Sequence, residues 1–208
     1  MNIFRLRNSC SRILYLGSGA EFDKRRDLHQ ITEEEVASSV PVDPYGEAKY
    51  VINSLAQNVD NVTNLRLFAC YGPYDHDSKF ITHCIRSVLL GRDITIRQDC
   101  RFDYLHVYDL GKVIDYFLHN EPKERDYNIA SGSSFMLSEI AQMVLDLMGS
   151  DLRIEILNPR LNKEYTASID RLDRETGLAS SFISLSEGIQ IQIDFEKETM
   201  SEWVDRYQ

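Results

Sequence analysis

The sequence has no long apolar run and no cluster of basic residues. A helix that spans a bilayer needs about 20 consecutive apolar residues, so no membrane segment is expected. The 33 acidic residues outnumber the 23 Lys and Arg and give a formal net charge of −10. Because proteins bind a phosphate backbone through clustered Lys and Arg, the composition argues against nucleic acid as a partner.

Cysteine and histidine are too scattered to indicate disulfides or a metal site. The four cysteines show no Cys-x-x-Cys spacing, and the opening "MNIFRLRNSCSR" lacks the apolar core of a secretory signal. A reducing cytoplasm is therefore the expected location. The five histidines lie at irregular separations without a carboxylate cluster, so we predict no metal.

Two short apolar runs and the segment between them predict a parallel β-α-β unit. Residues 12–18, "RILYLGS", and 63–70, "TNLRLFAC", are near-continuous apolar runs typical of strands covered on both faces. A helix is predicted from about Pro44 to about Val59, with Asp43 as its N-cap. The apolar positions 48, 51, 52, 55, 56 and 59 recur at three and four, so we expect that face to pack on the sheet.

The rest of the chain continues the alternation of strands and helices. We predict helices at residues 78–91, 110–120, 136–149 and 197–207, and strands at 93–98, 102–109, 126–131 and 152–157. The acidic triplet Glu33–Glu35 is expected in a solvated loop or helix start. This alternation predicts an α/β fold.

Tyr45 and Lys49 lie four residues apart on the first predicted helix and therefore share a face. A nearby ammonium favours the ionised form of a phenol, which allows proton exchange with an alcohol or carbonyl while another group carries hydride. The alternative is a helix-end aromatic beside a solvated surface charge. Ser18 ends a predicted parallel strand, where open α/β sheets bind ligands, although a turn serine is the alternative there.

Four segments in order, "YLGSGAEFD", "YGEAKY", "LRLFACYGP" and "FDYLHVYDL", resemble the extended short-chain dehydrogenase/reductase family. This family contains the NAD-dependent nucleotide-sugar epimerases, dehydratases and reductases. The resemblance covers nearly the whole chain. The "GSGAEFD" wording is most similar to the GDP-fucose synthase-like reductase/epimerases.

The resemblance implies a catalytic triad of Ser18, Tyr45 and Lys49. Tyr45 would be the acid/base, Lys49 would also hold the nicotinamide ribose, and Ser18 would bind the reacting oxygen of a nucleoside-diphosphate sugar. The cofactor would be NAD or NADP, with Tyr71, Gly72 and Pro73 beside its nicotinamide ring. Relatives dimerise through the helix that bears the Tyr-Lys pair, so a homodimer is expected by analogy.

The family's pattern is not complete around the substrate. Ala69 stands where many relatives carry Asn, and Phe102 stands where many carry Arg. Arg101 lies one residue earlier, which places it on the opposite strand face, so a surface arginine is the alternative to a diphosphate ligand. Lys79 and Arg86 are further candidate phosphate contacts, with a solvated helix face as their alternative.

The front of the chain lacks the glycine-rich turn that holds a dinucleotide pyrophosphate. We therefore expect a partial Rossmann-like sheet without the N-terminal strands of the family, plus a smaller mixed α/β substrate-binding region. Residues 1–75 would be the C-terminal half of the NAD(P)-binding domain. Residues 76–208 would be mainly substrate-binding, with about 102–130 returning to the Rossmann sheet.

Three interpretations follow. The chain is a fragment of an NAD(P)-dependent epimerase, dehydratase or reductase whose activity belongs to a longer chain. Alternatively, it is a non-catalytic remnant that binds a sugar nucleotide or a protein partner. In a third interpretation, a separate N-terminal half completes the sheet. In each case the residues 12–18 strand is expected to be an apolar sheet edge, and NAD(P) binding by the chain alone to be impaired.

Overall fold

The computed structural model describes residue 5 and residues 7–207. The strands are β1 (Ile13–Ser18), β2 (Leu28–Ile31), β3 (Val62–Leu67), β4 (Ala69–Tyr71), β5 (Ile94–Gln98), β6 (Arg101–His106), β7 (Asp126–Ile129), β8 (Ser134–Met136), β9 (Ile154–Asn158) and β10 (Tyr165–Ala167). The helices are α1 (Pro44–Ala56), α2 (Phe80–Leu89), α3 (Val107–His119), α4 (Leu137–Met148), α5 (Asp170–Thr176), α6 (Leu185–Glu198) and α7 (Met200–Trp203).

The first sheet is parallel and has the order β1-β3-β7. The β1, α1 and β3 elements form the predicted crossover unit, and Ser18 pairs with Leu67 at the carboxyl end of the sheet. In the described part of the chain, β1 pairs only with β3, so the predicted sheet edge is present and Leu16 is 42% exposed there.

The second sheet has the order β2-β10-β6-β4, with β8 antiparallel to β6. A separate parallel pair joins β5 and β9. Strand β7 belongs to the first sheet and lies in the segment expected to return there. The proposed division at residue 75 stays a prediction.

The two largest of the four apolar clusters in the described residues hold these layers together. Helix α3 covers the first sheet through Val113 and Phe117, which pack with Leu65 and Tyr127. The other cluster lies among α2, α4 and α6 and contains the fully buried residues Ile81, Ile85, Ile140, Val144, Ile189 and Ile193.

Helix α1 begins as predicted but packs through a different face. The Asp43 Oδ1 atom accepts a hydrogen bond from the Gly46 N–H at 2.8 Å, and Pro44 is the first helical residue. The helix ends at Ala56, three residues before the predicted end. Its buried residues are Gly46, Asn53 and Ala56, whereas Ala48, Val51 and Leu55 are exposed. The prediction that those three pack on the sheet is therefore wrong, because they lie on the opposite side of the helix.

Other boundaries also differ from the predictions. The strand predicted to end at residue 109 ends at His106, whose Nδ1 accepts from the Tyr108 N–H at 3.3 Å and caps α3. Helices α5 and α6 and the short strands β2, β8 and β10 were not predicted. Glu33 is buried rather than solvated, because its carboxylate accepts the Asn128 N–H at 2.7 Å. No helix of the described residues has the length and apolar character needed to cross a membrane.

Candidate active site

Ser18 ends β1 and starts a 3₁₀ turn over Gly19–Glu21. The Ser18 Oγ accepts the Ala20 N–H at 3.2 Å, and Glu21 Oε1 accepts the Ser18 N–H at 3.1 Å. This reciprocal pair is a capping box, which satisfies two backbone donors at the start of a helical turn. The predicted turn serine is thus also a cap, placed at the carboxyl end of a parallel strand.

A glycine brings α1 up against this turn. A Cβ on Gly46 would lie 2.5 Å from the Ala20 carbonyl oxygen, so only glycine permits this approach. Tyr45 directly precedes Gly46 and is 57% exposed. The predicted acid/base is therefore beside the Ser18 turn and open to a ligand.

Lys49 lies one helical turn after Tyr45. Its Nζ donates to the Leu16 carbonyl at 2.8 Å and lies 5.8 Å from the centroid of the Tyr45 ring. The same ammonium is 4.8 Å from the centroid of the Tyr15 ring. The structure thus brings Tyr45 and Lys49 together at the end of β1, and the ammonium is held there by a backbone carbonyl.

Tyr165 joins this group, although the sequence analysis did not single it out. Its hydroxyl would lie 2.3 Å from a Cβ on Gly19, so it fills the space beside the Ser18 turn. Burial, followed by the nearby Tyr45, raises the pKa of Tyr165, while a hydrogen bond with the Ser18 side chain opposes the shift. The phenol therefore stays protonated at neutral pH. Tyr165 lies in a short strand inside a polar segment, where no motif marks it.

A buried ionic network connects the Gly19–Glu21 turn with β3 and β7. Glu21 Oε2 accepts from Arg66 Nε at 2.7 Å, and Arg66 Nη2 donates to Asp126 at 2.7 Å. Glu21 and Arg66 are fully buried. Burial raises the pKa of the Glu21 carboxyl, and the Arg66 guanidinium opposes this shift. The sequence analysis missed the network because its members are 45 and 60 residues apart.

The "YGP" segment lines a cavity of about 290 Å³ together with Lys79. Cys70, Tyr71, Gly72 and Pro73 form one wall of this cavity. The structure therefore brings together the three residues predicted beside the nicotinamide and one predicted phosphate contact.

Two further cavities lie on either side of residues 162–164. Arg101 and Lys163 line one of about 510 Å³, and Arg101 also donates to the Ser134 carbonyl. Phe102 and Tyr165 line the other, of about 320 Å³, with Lys24 and Lys163. Arg101 and Phe102 thus line different cavities, as neighbours on opposite strand faces do. Lysines 24 and 163 are cations that the sequence analysis did not identify.

Arg86 is placed differently from the other predicted phosphate contacts. Its guanidinium is bound by Glu196, at 2.7 Å, and by Asp77, and it lies 4.5 Å from the centroid of the Trp203 ring. The side chain is buried, so the alternative of a solvated helix face is wrong. Because two carboxylates already neutralise Arg86, these contacts favour a structural role for it. The described residues contain no group of three or more His, Cys, Asp or Glu that could hold a metal ion.

Comparison with known proteins identifies the family. A family model described as "NAD dependent epimerase/dehydratase family" matches residues 3–130, more than half of the chain. The chain belongs to this family. The predicted resemblance is therefore confirmed, whereas the finer likeness to GDP-fucose synthase-like enzymes stays a prediction.

Curated members of the family are distantly similar. A dTDP-glucose 4,6-dehydratase of Streptomyces griseus is 25% identical over 173 residues, which is 78% of this chain and 52% of that protein. An ADP-L-glycero-D-manno-heptose-6-epimerase of Pseudomonas paraeruginosa is 24% identical over 85% of this chain and 63% of that protein. The chain spans about half to two thirds of these relatives.

Solved structures of family members share the fold. The UDP-glucose 4-epimerase of Thermotoga maritima, solved with UDP-glucose, gives a TM-score of 0.81 at 18% identity. The match covers 95% of this chain and 67% of the epimerase chain. The dTDP-glucose 4,6-dehydratase of Bacillus anthracis, solved with NAD, gives 0.79 at 18% identity, covering 98% and 67%. These likenesses confirm the predicted α/β, Rossmann-like fold with parallel sheets.

Proposed function

We propose that this chain supplies the catalytic and sugar-nucleotide-binding part of an NAD(P)-dependent enzyme that epimerises, dehydrates or reduces a nucleoside-diphosphate sugar. The observation that carries the proposal is the meeting of Tyr45, Lys49 and Ser18 at the carboxyl end of β1. Parallel α/β sheets bind ligands at the carboxyl ends of their strands. The two curated relatives are named as a dehydratase and an epimerase of nucleotide sugars.

Each residue has a chemical task in this proposal. As a phenolate, Tyr45 takes a proton from a sugar hydroxyl and becomes a phenol, and in the reverse direction the phenol returns that proton to the carbonyl oxygen. Lys49 stabilises the phenolate form, since its ammonium lies near the Tyr45 ring. The Ser18 hydroxyl binds the same substrate oxygen. Proton transfer by a positioned side chain contributes about 10²–10⁴-fold to rate.

The residues suit the nicotinamide end of NAD or NADP. Lys49 uses one of its three ammonium donors on Leu16 and has two left for ribose hydroxyls. The 290 Å³ cavity beside Tyr71, Gly72 and Pro73 would receive the ring. Bound there, the cofactor supplies reversible hydride transfer. No glycine-rich turn occurs in the described residues, so impaired cofactor binding by the chain alone is part of the proposal.

The substrate would lie along the cationic cavities. Lys79 and Arg101 are the proposed contacts to the diphosphate, because each is a cation that lines a cavity. Tyr165 connects the Ser18 turn with the 320 Å³ cavity. Arg86 is left out because its charge is already neutralised.

The open edge of β1 favours two further elements of the proposal. Additional strands, from a complementing N-terminal half, would pair there, or a homodimer would cover the neighbouring α1 face. No disulfide joins the cysteines of the described residues, which suits a reducing cytoplasm. If no cofactor binds, the alternative is a non-catalytic remnant that binds sugar nucleotides or a protein partner.

The test is a titration of the purified chain with NADH and NADPH, followed by nicotinamide fluorescence, and with UDP-glucose and dTDP-glucose, followed by calorimetry. We expect weak or undetectable cofactor binding and saturable binding of at least one nucleotide sugar. Lys79→Ala and Arg101→Ala should each weaken sugar-nucleotide binding about tenfold, as for a lost charge-assisted contact.

Arg153→Ala is the matched control, because Arg153 is 86% exposed and pairs only at the surface with Asp93. It should bind like the unchanged chain. Tight stoichiometric NADH binding would overturn the expected impairment. Absence of nucleotide-sugar binding in a folded sample would overturn the proposed function.

A further inference from the structure

Two backbone groups on the free edge of β1 are bound by side chains rather than by a strand. The Ile13 N–H donates to the Asn61 carbonyl beside β3, so residues 13, 15 and 17 direct their backbone groups toward β3. The backbone groups of residues 14, 16 and 18 therefore point to the other edge. There, Glu21 accepts the Ser18 N–H, and Lys49 donates to the Leu16 carbonyl.

Glu21 is anchored more firmly than a surface cap would be. Its carboxylate accepts from Arg66 Nε at 2.7 Å and from Asn64 Nδ2 at 3.0 Å, and all three residues are fully buried. Arg66 is tied in turn to Asp126 on β7. A buried carboxylate that loses its partners is strongly destabilised, so this arrangement fixes the carboxylate against β3.

We propose that Glu21 is a positioning residue that fixes the catalytic Ser18 by linking its backbone N–H to the buried Arg66. The inference rests on the proposed function, because it assigns Ser18 a substrate oxygen. No bond changes at Glu21. Its carboxylate holds the first residue of the turn, and the turn's Ala20 N–H then holds Ser18 Oγ.

The loss of this link should affect the reaction more than binding. Ser18 contacts the reacting oxygen, and a displacement of about 1 Å in a catalytic group costs up to about 10²-fold in rate. The nucleotide and diphosphate would be held by other residues, among them Lys79 and Arg101. We therefore expect kcat to fall and KM to change little.

Glu21→Gln tests this link, with Glu196→Gln as its control. The named partners of Glu21 all donate, and an amide accepts at only one end, so the variant leaves either Ser18 or Arg66 without its acceptor. Glu196, on α6, is an equally buried carboxylate that accepts a hydrogen bond from Arg86 Nε at 2.7 Å. In the active assembly, Glu21→Gln should lower kcat about 10- to 100-fold, while Glu196→Gln should leave it unchanged.

A second variant separates positioning from folding. Glu21→Asp keeps the charge beside Arg66 but shortens the reach to Ser18. It should lower kcat in the unchanged protein and change it by less than about twofold in a Ser18→Ala background, because two residues that act through one group are not additive. Equal losses in both backgrounds would overturn the inference.

Amide hydrogen exchange gives a readout that does not need activity. The Ser18 N–H should exchange faster in Glu21→Asp and Glu21→Gln, while the Gly17 N–H, which faces β3, should keep its protection. If no nucleotide sugar is turned over but Ser18 loses protection selectively, the proposed function fails and the link to Glu21 stands. Unchanged Ser18 protection overturns the link in either case.

Discussion

Lys49 illustrates how one side chain serves both the fold and the proposed chemistry. Its ammonium binds the Leu16 carbonyl on the open edge of β1 and lies near the Tyr45 ring. The spacing of Tyr45 and Lys49 in the sequence predicts a shared helix face, which the structure shows. The Leu16 contact could not be predicted, because it depends on how α1 lies across β1.

The hydroxyl of Tyr45 should be required for turnover but not for folding. Tyr45→Phe is expected to lower kcat at least about 10²-fold, as expected for loss of a general acid/base. Thermal unfolding should be unchanged because the side chain is 57% exposed. Tyr108→Phe is the control, since Tyr108 is also the second residue of its helix and is 54% exposed. Normal turnover by Tyr45→Phe in an active assembly would remove Tyr45 from the mechanism.

Only one of the cysteines in the described residues should react readily with iodoacetamide. Cys10 is exposed, whereas burial raises the pKa of both Cys70 and Cys100 to about 11. Burial also raises the pKa of Cys84, which is fully enclosed. At pH 8 a thiol with a pKa of about 11, such as Cys70 or Cys100, is ionised to about one part in a thousand. The thiolate is the reactive form. Mass spectrometry of the native protein should find Cys10 labelled first, and equally fast labelling of Cys70 would contradict its burial.

At the scale of elements, long periodic segments were predicted well. Strand β1, the start of α1, and α4 with Gly149 after it follow from apolar periodicity and capping residues. Strands of three or four residues, such as β8 and β10, are too short to show a period. Helix α6 was missed because Gln190 and Gln192 interrupt its apolar pattern, although Ser184 and Glu187 form a capping box that the sequence displays.

Only those members of the candidate site that local sequence patterns mark were predicted. The spacing of Tyr45 and Lys49 places them on one helix face and Ser18 ends a predicted strand, and the family resemblance assigns roles to the three. Glu21 and Arg66 were not predicted, because an arginine inside an apolar run gives no indication of which distant carboxylate will neutralise it. Strand β3 therefore contains a buried ionic face that a purely apolar interpretation of its sequence does not predict.

Arg66 should be essential to the first sheet. Arg66→Met leaves the buried carboxylate of Glu21 without its guanidinium partner and removes one of the two guanidinium partners of Asp126, which keeps Arg171. Breaking a buried pair in this way costs about 3–5 kcal/mol. Urea unfolding should show this loss in the free energy of unfolding. Arg153→Met, at an exposed pair, should change it by less than about 0.5 kcal/mol, and an equally small effect at Arg66 would contradict the role of the network.

At the scale of the whole molecule, buried carboxylates should shape the dependence of stability on pH. Burial raises the pKa of Glu33 above its ordinary value of 4.5, although the Asn128 N–H opposes this. The folded protein therefore binds a proton more tightly there than the unfolded chain does. The contribution of Glu33 is greatest below pH 4.5 and is lost as the pH rises through its folded pKa.

Glu33→Gln should remove this dependence. The glutamine oxygen accepts the Asn128 N–H as the carboxylate does, and it cannot ionise. The free energy of unfolding of the variant, relative to the unchanged chain, should rise with pH from about pH 4.5 and then level off. Urea unfolding at pH 4, 5, 6 and 7 measures this difference. A difference that stays constant across the range would mean that the pKa of Glu33 is the same in the folded protein as in the unfolded chain.

The uncovered face of α1 leads to a prediction about assembly. Val51 is 47% exposed and Leu55, one helical turn later on α1, is 40% exposed. Apolar side chains grouped on one surface mark an interaction site, and self-association is the simplest way to cover them. We expect the chain to sediment as a dimer at micromolar concentrations. Val51→Glu with Leu55→Glu should give a folded monomer, because these side chains support no core contact.

Leu118→Glu controls for added charge at an apolar surface position, because Leu118 is 61% exposed on α3. This variant should leave the dimer intact. If the unchanged chain is a monomer at all concentrations, the α1 face is covered by other means, and a complementing half becomes the better explanation. If the double variant stays dimeric, the interface lies elsewhere, and the open edge of β1 is the next surface to change. Because β1 presents its polar backbone groups to Glu21 and Lys49 rather than to a strand, a dimer formed there would have to displace both side chains, and Ser18 amide exchange would report it.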